Sequence, residues 1–306
     1  MTNTMERIAR LKREQDAVVA AHTYQSPAVQ AVADLLGDSF ALARKAAETD
    51  AAAVYMCGVR FMAEGVKILC PEKRVVLAEP AADCPMARQI DPKRVEEFRA
   101  AHPEAAVVAY INTTAELKAV ADVCVTSSSA VRIVRSLPQR RVLFIPDQHL
   151  GGYVRSQVPE KEILTWDGYC PVHHGITAGD VRAAKAAHPD AAVAIHPECP
   201  AEAVALADVV GSTAAIIDFI RDFMHSTDRP VIVATERGVA DRLSLDYPGR
   251  LFQLRPEQLT CPDMKLTTPD SVLAAMEGRG GEEIVMDPAL MEAARASLTN
   301  MIRLGG

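Results

Sequence analysis

Two stretches decide the fold: residues 102–134, HPEAAVVAYINTTAELKAVADVCVTSSSAVRIV, and residues 188–220, HPDAAVAIHPECPAEAVALADVVGSTAAIIDFI. They align without a gap at an offset of 86 residues. A third copy, AVVAAHTYQSPAVQAVADLLGDSFALA at residues 17–43, aligns to the middle copy at an offset of 88. Self-similarity at a fixed period indicates repeated supersecondary units. The sequence therefore predicts three related units.

Each copy has the same order of elements. Four or five small or β-branched residues bounded by polar ones predict a buried parallel strand, at 18–21, 106–109 and 191–195. A helix follows: Ser26 and Pro27 fit an N-cap and a first-turn proline, and Thr113 with Glu116 fits a capping box. A short second strand, a Ser or Thr residue and a second helix come next. Another apolar strand then follows, at 52–56, 142–145 and 231–234.

Alternating strands and helices predict parallel sheets with right-handed crossovers. The predicted fold is α/β, with three pseudo-equivalent three-layer αβα units and short parallel sheets around a pseudo-threefold axis. We expect unit one at residues 1–89, unit two at 90–175 and unit three at 176–266. A tail at 267–306 should end in a helix beginning near Asp287 and Pro288 and should pack back on unit one. One face of that helix carries Leu290, Met291, Ala294, Leu298 and Met301.

Composition excludes several classes of protein. The 306-residue chain is 49% hydrophobic but only 5% aromatic, which favours closely packed helices over a β-sandwich. Its net charge of −7 comes from interspersed acids and bases, so nucleic acid and anionic membranes are poor partners. The charged N-terminus lacks the apolar segment of a signal peptide, and we expect a cytoplasmic protein. Seven cysteines, an odd number, argue against a disulfide framework.

Chemically active residues recur where the predicted strands end. After the first strand come His22, Thr23 and Tyr24 in unit one, with their repeat equivalents Tyr110, Ile111, Asn112 and His196, Pro197, Glu198. After the second strand come Ser39, Ser127 and Thr213, the last preceded by Ser212. In parallel sheets, ligands bind beyond the carboxyl ends of the strands. We therefore expect these residues to form one site, in which hydroxyls at helix N-termini bind carboxylate or phosphate. The competing interpretation is that Ser39, Ser127 and Thr213 are plain N-caps, which strongly prefer Ser and Thr.

The cysteines divide in the same way. Cys84, Cys170 and Cys261 each lie near the end of a unit, precede proline and are spaced by 86 and 91 residues. One thiolate from each unit would meet at a common point, and three thiolates fit a [4Fe–4S] cluster with one open iron. A three-cysteine zinc site completed by His173 or His174 and three buried structural cysteines remain as alternatives. The other cysteines have no repeat equivalents and are interpreted as structural: Cys57, Cys70, Cys124 and Cys199.

At this point the sequence resembles the quinolinate synthase family. The resemblance runs from about residue 18 to about 268 through AHTYQ, LLGDS, FMAE, YINTTAELKAVADVCVTSS, PDQHLG, CPVH, HPEC, GST and CPDMK. Two positions depart from the expected pattern: Ser129 stands where we expect asparagine, and Val239 where we expect methionine. The first leaves any role for position 129 open, and the second affects packing only.

The resemblance implies a transferase of NAD biosynthesis that condenses iminoaspartate with dihydroxyacetone phosphate, losing phosphate and two waters, to give quinolinate. It implies that Cys84, Cys170 and Cys261 bind one [4Fe–4S] cluster whose open iron acts as a Lewis acid. It implies substrate contacts from His22, Ser39, Tyr110, Asn112, Ser127, His196, Glu198 and Thr213. Tyr24, His196 and Glu198 are the candidates for proton transfer. An aspartate-oxidising enzyme is the expected supplier of iminoaspartate.

Two other functions remain open from the residues alone. The chain could be a zinc-dependent lyase, or a protein that binds a phosphorylated metabolite on the same scaffold without turnover. A binder needs no proton-transfer residues, so His22, Tyr24, His196 and Glu198 argue against that alternative. The colour and metal content of protein purified without oxygen separate all three functions.

Overall fold

The computed structural model describes residues 3–305 and contains three short, mainly parallel sheets flanked by helices. The sheets repeat one topology. The first unit contains α1 Asn3–Glu14, β1 Ala17–His22, α2 Pro27–Gln30, β2 Leu35–Gly37, α3 Ser39–Glu48, β3 Ala53–Cys57, α4 Arg60–Leu69, β4 Arg74–Leu77 and a 3-10 turn at Pro85–Arg88.

The second unit contains the same order of strands. Its elements are α5 Pro92–Ala101, β5 Ala106–Tyr110, α6 Ala115–Ala119, β6 Val123–Val125, α7 Ala130–Ser136, β7 Arg141–Ile145, α8 Gln148–Gln157, β8 Glu162–Thr165 and α9 Pro171–His174. The third unit contains α10 Ala178–Ala187, β9 Ala192–Ile195, α11 Ala201–Val204, β10 Val209–Val210, α12 Thr213–Ser226, β11 Val231–Ala234, α13 Arg237–Leu243, β12 Leu251–Gln253 and α14 Pro262–Leu266. The tail contains α15 Pro269–Met276, β13 Glu282–Glu283 and α16 Pro288–Gly305.

The three sheets share both strand order and register. Their orders are β2-β1-β3-β4, β6-β5-β7-β8 and β10-β9-β11-β12, with β13 added antiparallel to β4. The first strand of each unit pairs with the second in the same register: Ala20 with Leu35, Val108 with Val123, and Ala194 with Val209. The mixed α/β fold with repeated αβα units is therefore confirmed. Strands buried on both faces need apolar residues throughout, which explains runs such as AVVAY and VIVA.

A second repeated contact fixes each sheet. An aspartate just before the second strand accepts the N–H of a valine in the first strand, at 2.8, 2.7 and 2.8 Å: Asp34 from Val19, Asp122 from Val107, Asp208 from Val193. A base from the leading helix pairs with the same carboxylate: Lys12, Arg99 and Lys185. The aspartates thus join leading helix, first strand and second strand in each unit.

The predicted helix starts have mixed outcomes. Ser26 caps α2 by accepting from the N–H of Val29, with Pro27 at the first helical position, so this prediction is confirmed. The predicted Thr113–Glu116 capping box is wrong, because Thr114 caps α6 and accepts from Leu117 N–H. Thr113 is instead fully buried and donates to the Tyr110 carbonyl oxygen at 3.0 Å.

The tail divides between two units. β13 pairs with β4, and α15 packs on α1 and β3, all in the first unit. α16 begins at Pro288 as predicted, but it lies mostly against α6, β6 and α7 of the second unit and touches the first through α4. The expectation that the whole tail packs on unit one therefore does not describe α16. Its apolar stripe packs on α6, β6 and α7 and buries Ala294, Leu298 and Met301.

Among residues 3–305, no helix combines the length and apolar character that crossing a bilayer requires.

Removing the side chain of Leu298 should destabilise the fold through α16. Leu298 is fully buried, so Leu298→Ala should lower the free energy of unfolding by about 2–5 kcal/mol, from lost burial and the cavity left behind. The measurement is urea unfolding followed by circular dichroism. Glu292→Ala, on the exposed face of the same helix, is the control and should change stability by less than about 0.5 kcal/mol. Equal effects of the two substitutions would contradict the docking of α16.

Candidate active site

A cavity of about 320 Å³ lies where all three units meet, at the carboxyl ends of their strands. This volume is at the small end of the range for small-molecule sites. Twelve of the predicted site residues line it: His22, Tyr24, Ser39, Cys84, Tyr110, Asn112, Ser127, Cys170, His196, Glu198, Thr213 and Cys261. The thirteenth, Ser212, is buried beside Thr213 but outside the lining. Residues from all three repeats are thus brought together.

The three cysteines enter the cavity on equivalent loops. Each is the residue before a short helical turn whose first residue is proline: Cys84 before Pro85, Cys170 before Pro171, Cys261 before Pro262. Proline fixes the turn and leaves the preceding residue extended. All seven cysteines are free, but only these three are half-buried, and the other four lie in the core.

Burial controls the protonation of these thiols. Burial raises the pKa of Cys84 to about 12 and that of Cys261 to about 11, and it raises the pKa of Cys170 well above its ordinary value. Backbone N–H groups of each following turn oppose this rise, for example that of Ala87 at Cys84. A metal ligand must be a thiolate, so binding of a cationic metal group would deprotonate all three.

Glu198 lies at the centre of the site and is 3% exposed. Its Oε2 atom lies 2.9 Å from His173 Nδ1 and 3.3 Å from His196 Nδ1. Burial alone would raise the pKa of Glu198, but the two imidazoles outweigh burial and hold it well below its usual range. The second oxygen, Oε1, is buried without a hydrogen-bond partner. Glu198 is therefore an ionised carboxylate with one acceptor free for a ligand.

Tyr24 belongs to the first unit but is held by the third. Its hydroxyl lies 2.9 Å from Thr213 Oγ1 and 3.2 Å from Thr235 Oγ1. Thr235 Oγ1 also lies 3.2 Å from His173 Nε2, so hydrogen bonds connect Tyr24 to the imidazole beside Glu198. Burial and the charge of Glu198 raise the pKa of Tyr24 well above its ordinary value. The phenol is therefore protonated and able to donate.

Three other polar side chains of the cavity, those of His22, His196 and Tyr110, are held neutral. Burial, with Lys265 adding to it, lowers the pKa of His22 to about 3. Burial also lowers the pKa of His196, although Glu198 opposes this, and His196 Nε2 lies 3.2 Å from Ser127 Oγ. Burial and Glu198 raise the pKa of Tyr110 well above its ordinary value. Glu198 thus faces the neutral imidazoles of His22 and His196 and the protonated phenols of Tyr24 and Tyr110.

The hydroxyl residues after the second strands are not N-caps. The caps of α3, α7 and α12 are Asp38, Ser129 and Ser212. Ser39 and Thr213 are the first helical residues, and Ser127 lies in the turn before α7. All three hydroxyl residues face the cavity. The plain N-cap interpretation of Ser39, Ser127 and Thr213 is therefore wrong, and Ser129 has a structural contact, because its Oγ accepts from Thr126 N–H at 3.0 Å.

Two buried carboxylates that follow third strands are absent from the residues predicted for the site. Asp147 and Glu236 come two residues after β7 and β11, and both are fully buried. Lys265 Nζ lies 2.8 Å from Glu236 Oε1, and it also donates to the Tyr24 carbonyl oxygen. The sequence signal for Asp147 and Glu236 is their equivalent place in the repeat, two residues after the third strand of their units.

The site contains donors for a metal. Ligand atoms of Cys170, His173 and Glu198 lie within 4.8 Å of one another, so this buried group could bind a metal. His173 therefore belongs to the site, whereas His174 points elsewhere and its Nδ1 lies 2.7 Å from His149 Nε2. Of the two histidines considered for a zinc site, only His173 lines the cavity. The three thiol side chains on its wall also fit a cluster that takes one ligand from each unit.

Comparison with known proteins gives a consistent result. Residues 6–303 match the family described as quinolinate synthetase A protein. The chain is 42% identical to a quinolinate synthase of Alkaliphilus metalliredigens, with 99% of each chain covered. It is 45% identical to one from Pelobacter propionicus, over 89% of this chain and 88% of the relative. A third, from Aquifex aeolicus, is 42% identical over 97% of this chain and 92% of the relative.

The neutrality of His22 can be measured directly. With a pKa of about 3, its imidazole should stay unprotonated between about pH 5 and pH 8, the range in which an unperturbed histidine titrates. Nuclear magnetic resonance of protein carrying labelled histidine reports each ring, and the His22→Gln variant identifies the signal to follow. A titration midpoint of the His22 signal inside that range would contradict the burial argument.

Proposed function

The chain belongs to the quinolinate synthase family, and from this premise we propose that it condenses iminoaspartate with dihydroxyacetone phosphate. The products are quinolinate, inorganic phosphate and two waters, and the reaction is a step of NAD biosynthesis. The observation that carries the proposal is the meeting, in one cavity, of three thiols from three units with Glu198 and Tyr24. We further propose the unit boundaries 1–89, 90–175 and 176–266, with a tail at 267–306.

We propose that Cys84, Cys170 and Cys261 hold one [4Fe–4S] cluster. The fit rests on the donor set: three free thiols, one at the same place in each repeat, face the cavity that contains the unpartnered Glu198 oxygen. When bound, such a cluster supplies a Lewis-acidic iron, because three cysteines leave one iron without a protein ligand.

The protein's own residues supply the proton transfers. Loss of water requires a base to remove a proton from carbon and an acid to protonate the departing hydroxyl. Glu198 is the base, because two imidazoles keep it ionised. Tyr24 is the acid, because burial keeps its phenol protonated, and Thr213 and Thr235 fix its direction. His196, 3.3 Å from Glu198 Oε2, shares the proton-transfer role as a neutral group able to donate or accept.

The anionic parts of the substrates are bound by neutral donors. His22, Ser39, Tyr110, Asn112, Ser127 and Thr213 line the wall around Glu198. Ser39 and Thr213 begin helices, whose free N–H groups attract carboxylate or phosphate. Ser212 caps α12 by accepting from Ala215 N–H at 3.2 Å and so fixes the start of that helix beside Thr213.

Iminoaspartate hydrolyses readily, so an aspartate-oxidising enzyme is the proposed supplier.

A zinc-dependent lyase is the second candidate function, favoured by the closeness of Cys170, His173 and Glu198. Non-catalytic binding of a phosphorylated metabolite is disfavoured, because an ionised carboxylate buried near a protonated phenol serves proton transfer.

Replacing Glu198 should separate catalysis from metal binding. Glu198→Gln keeps the shape of the side chain and removes the charge, so turnover should fall by ~10²-fold or more while visible absorption is unchanged. Glu257→Gln is the matched control, since Glu257 lines the same cavity but is exposed. Near-normal turnover of Glu198→Gln, with unchanged absorption, would remove Glu198 from the catalytic residues.

Seven Cys→Ala variants test the ligand set. After reconstitution without oxygen, loss of Cys84, Cys170 or Cys261 should prevent stable cluster assembly and abolish activity, because each thiolate anchors one iron. Loss of Cys57, Cys70, Cys124 or Cys199 should cost only packing, about 1–3 kcal/mol, and leave iron unchanged. Iron, zinc, sulfide and turnover are measured for each variant. A folded variant outside the trio that loses iron, or stoichiometric zinc in place of iron in the wild type, would refute the proposed cluster.

A further inference from the structure

Two of the three cysteine loops are tied to buried carboxylates. The N–H of Cys170 donates to Asp147 Oδ2 at 3.1 Å, and that of Cys261 donates to Glu236 Oε1 at 3.1 Å. Both carboxylates are 0% exposed. They are also equivalent in the repeat, since each stands two residues after the third strand of its unit. The same contact in two units indicates a feature of the scaffold.

The other oxygen of each carboxylate is occupied as well. Asp147 Oδ1 accepts the N–H of Leu150, and Glu236 Oε2 accepts that of Gly238, both at 2.6 Å. Each carboxylate therefore joins its cysteine loop to the first turn of a core helix, α8 or α13. Position 238 requires glycine, because a Cβ there would lie 2.6 Å from the Tyr24 carbonyl oxygen.

The first unit has no such support. The residue two places after β3 is Val59, which caps α4 without a side-chain hydrogen bond. The N–H of Cys84 donates instead to Asp83 Oδ1 at 2.8 Å. Asp83 belongs to the Cys84 loop itself, its side chain is 31% exposed, and it pairs with the exposed Arg88. The N–H of Cys84 is thus held only from within its own loop, and the contacts of this loop to the other two run through Gln89 and the Asp83 N–H, not through a buried carboxylate.

We propose that Asp147 and Glu236 are positioning residues that hold the Cys170 and Cys261 loops ready for the cluster, and that the Cys84 loop closes on it last. Ordering a loop costs conformational entropy, so ligands that are already in place bind before one that must be ordered. This inference rests on the proposed cluster and its three ligands.

The test compares Asp147→Asn and Glu236→Gln with Asp83→Asn in the iron-loaded protein. The first two variants keep the side-chain shape but leave one acceptor oxygen where the carboxylate has two. Each should speed iron release to a chelator by about tenfold or more, because an amide oxygen can accept only one of the two N–H groups that the carboxylate holds, so the link between cysteine loop and helix is lost. Each should also change the reduction potential of the cluster, because that potential depends on hydrogen bonds and solvent exposure around the cluster. Asp83→Asn, at a solvated carboxylate, should change release by less than about threefold.

The proposal is overturned if all three variants release iron at the wild-type rate and keep the wild-type reduction potential. A wild type that binds no iron would refute the ligand set itself, so the two failures are distinguishable. If Asp147→Asn or Glu236→Gln fails to fold, hydrogen exchange in the iron-loaded wild type tests the proposal instead. The Cys170 and Cys261 amides should exchange more slowly than that of Cys84, and the reverse order would overturn the proposal. During iron release, iodoacetamide should modify Cys84 first.

Discussion

The convergence of three loops from three separate sheets is the constraint on which the site depends. The loops are joined to one another directly. Gln89, from the Cys84 loop, accepts the N–H of Tyr169 beside Cys170 at 2.7 Å. Gln258, from the Cys261 loop, donates to the carbonyl oxygens of Pro171 and Val172 at 3.0 Å. Asp263, from the Cys261 loop, completes the triangle by accepting the backbone N–H of Asp83 in the Cys84 loop. This hydrogen bond opposes the rise that burial causes in the pKa of Asp263.

The closed triangle allows charge to be buried at its centre. A buried ionised group is costly unless every side of it is paired. Glu198 meets this requirement on one oxygen, through His173 and His196, and leaves the other without a partner. The unpaired oxygen lowers the stability of the fold and leaves a hydrogen-bond acceptor available to a ligand. The phenols of Tyr24 and Tyr110 remain protonated beside it, so one cavity holds both an ionised carboxylate and protonated phenols.

The repeat explains how much of this could be predicted from the sequence. The order of strands and helices along each unit and the convergence of His22, Tyr110 and His196 follow from one alignment, because equivalent residues in equivalent folds lie at equivalent strand ends. The roles of Thr235 and His173 do not follow, since both depend on the packing of the first unit's Tyr24 against the third unit. The partner of α16 could not be predicted either. Its apolar face fits any exposed apolar flank, and the sequence does not distinguish the flank at α6 from those at the similarly short α2 and α11.

The threefold scaffold is regular, but its chemistry depends on where the repeats differ. Equivalent positions hold Tyr24, Asn112 and Glu198: a phenol, an amide and a carboxylate. Three identical residues would give either three carboxylates repelling one another in a small cavity or three phenols with no base. The same divergence occurs behind the cysteines, where Val59, Asp147 and Glu236 are equivalent. The common backbone places one cysteine loop from each unit at the cavity. The residues that differ between units set the protonation of each strand end and the support of each cysteine loop.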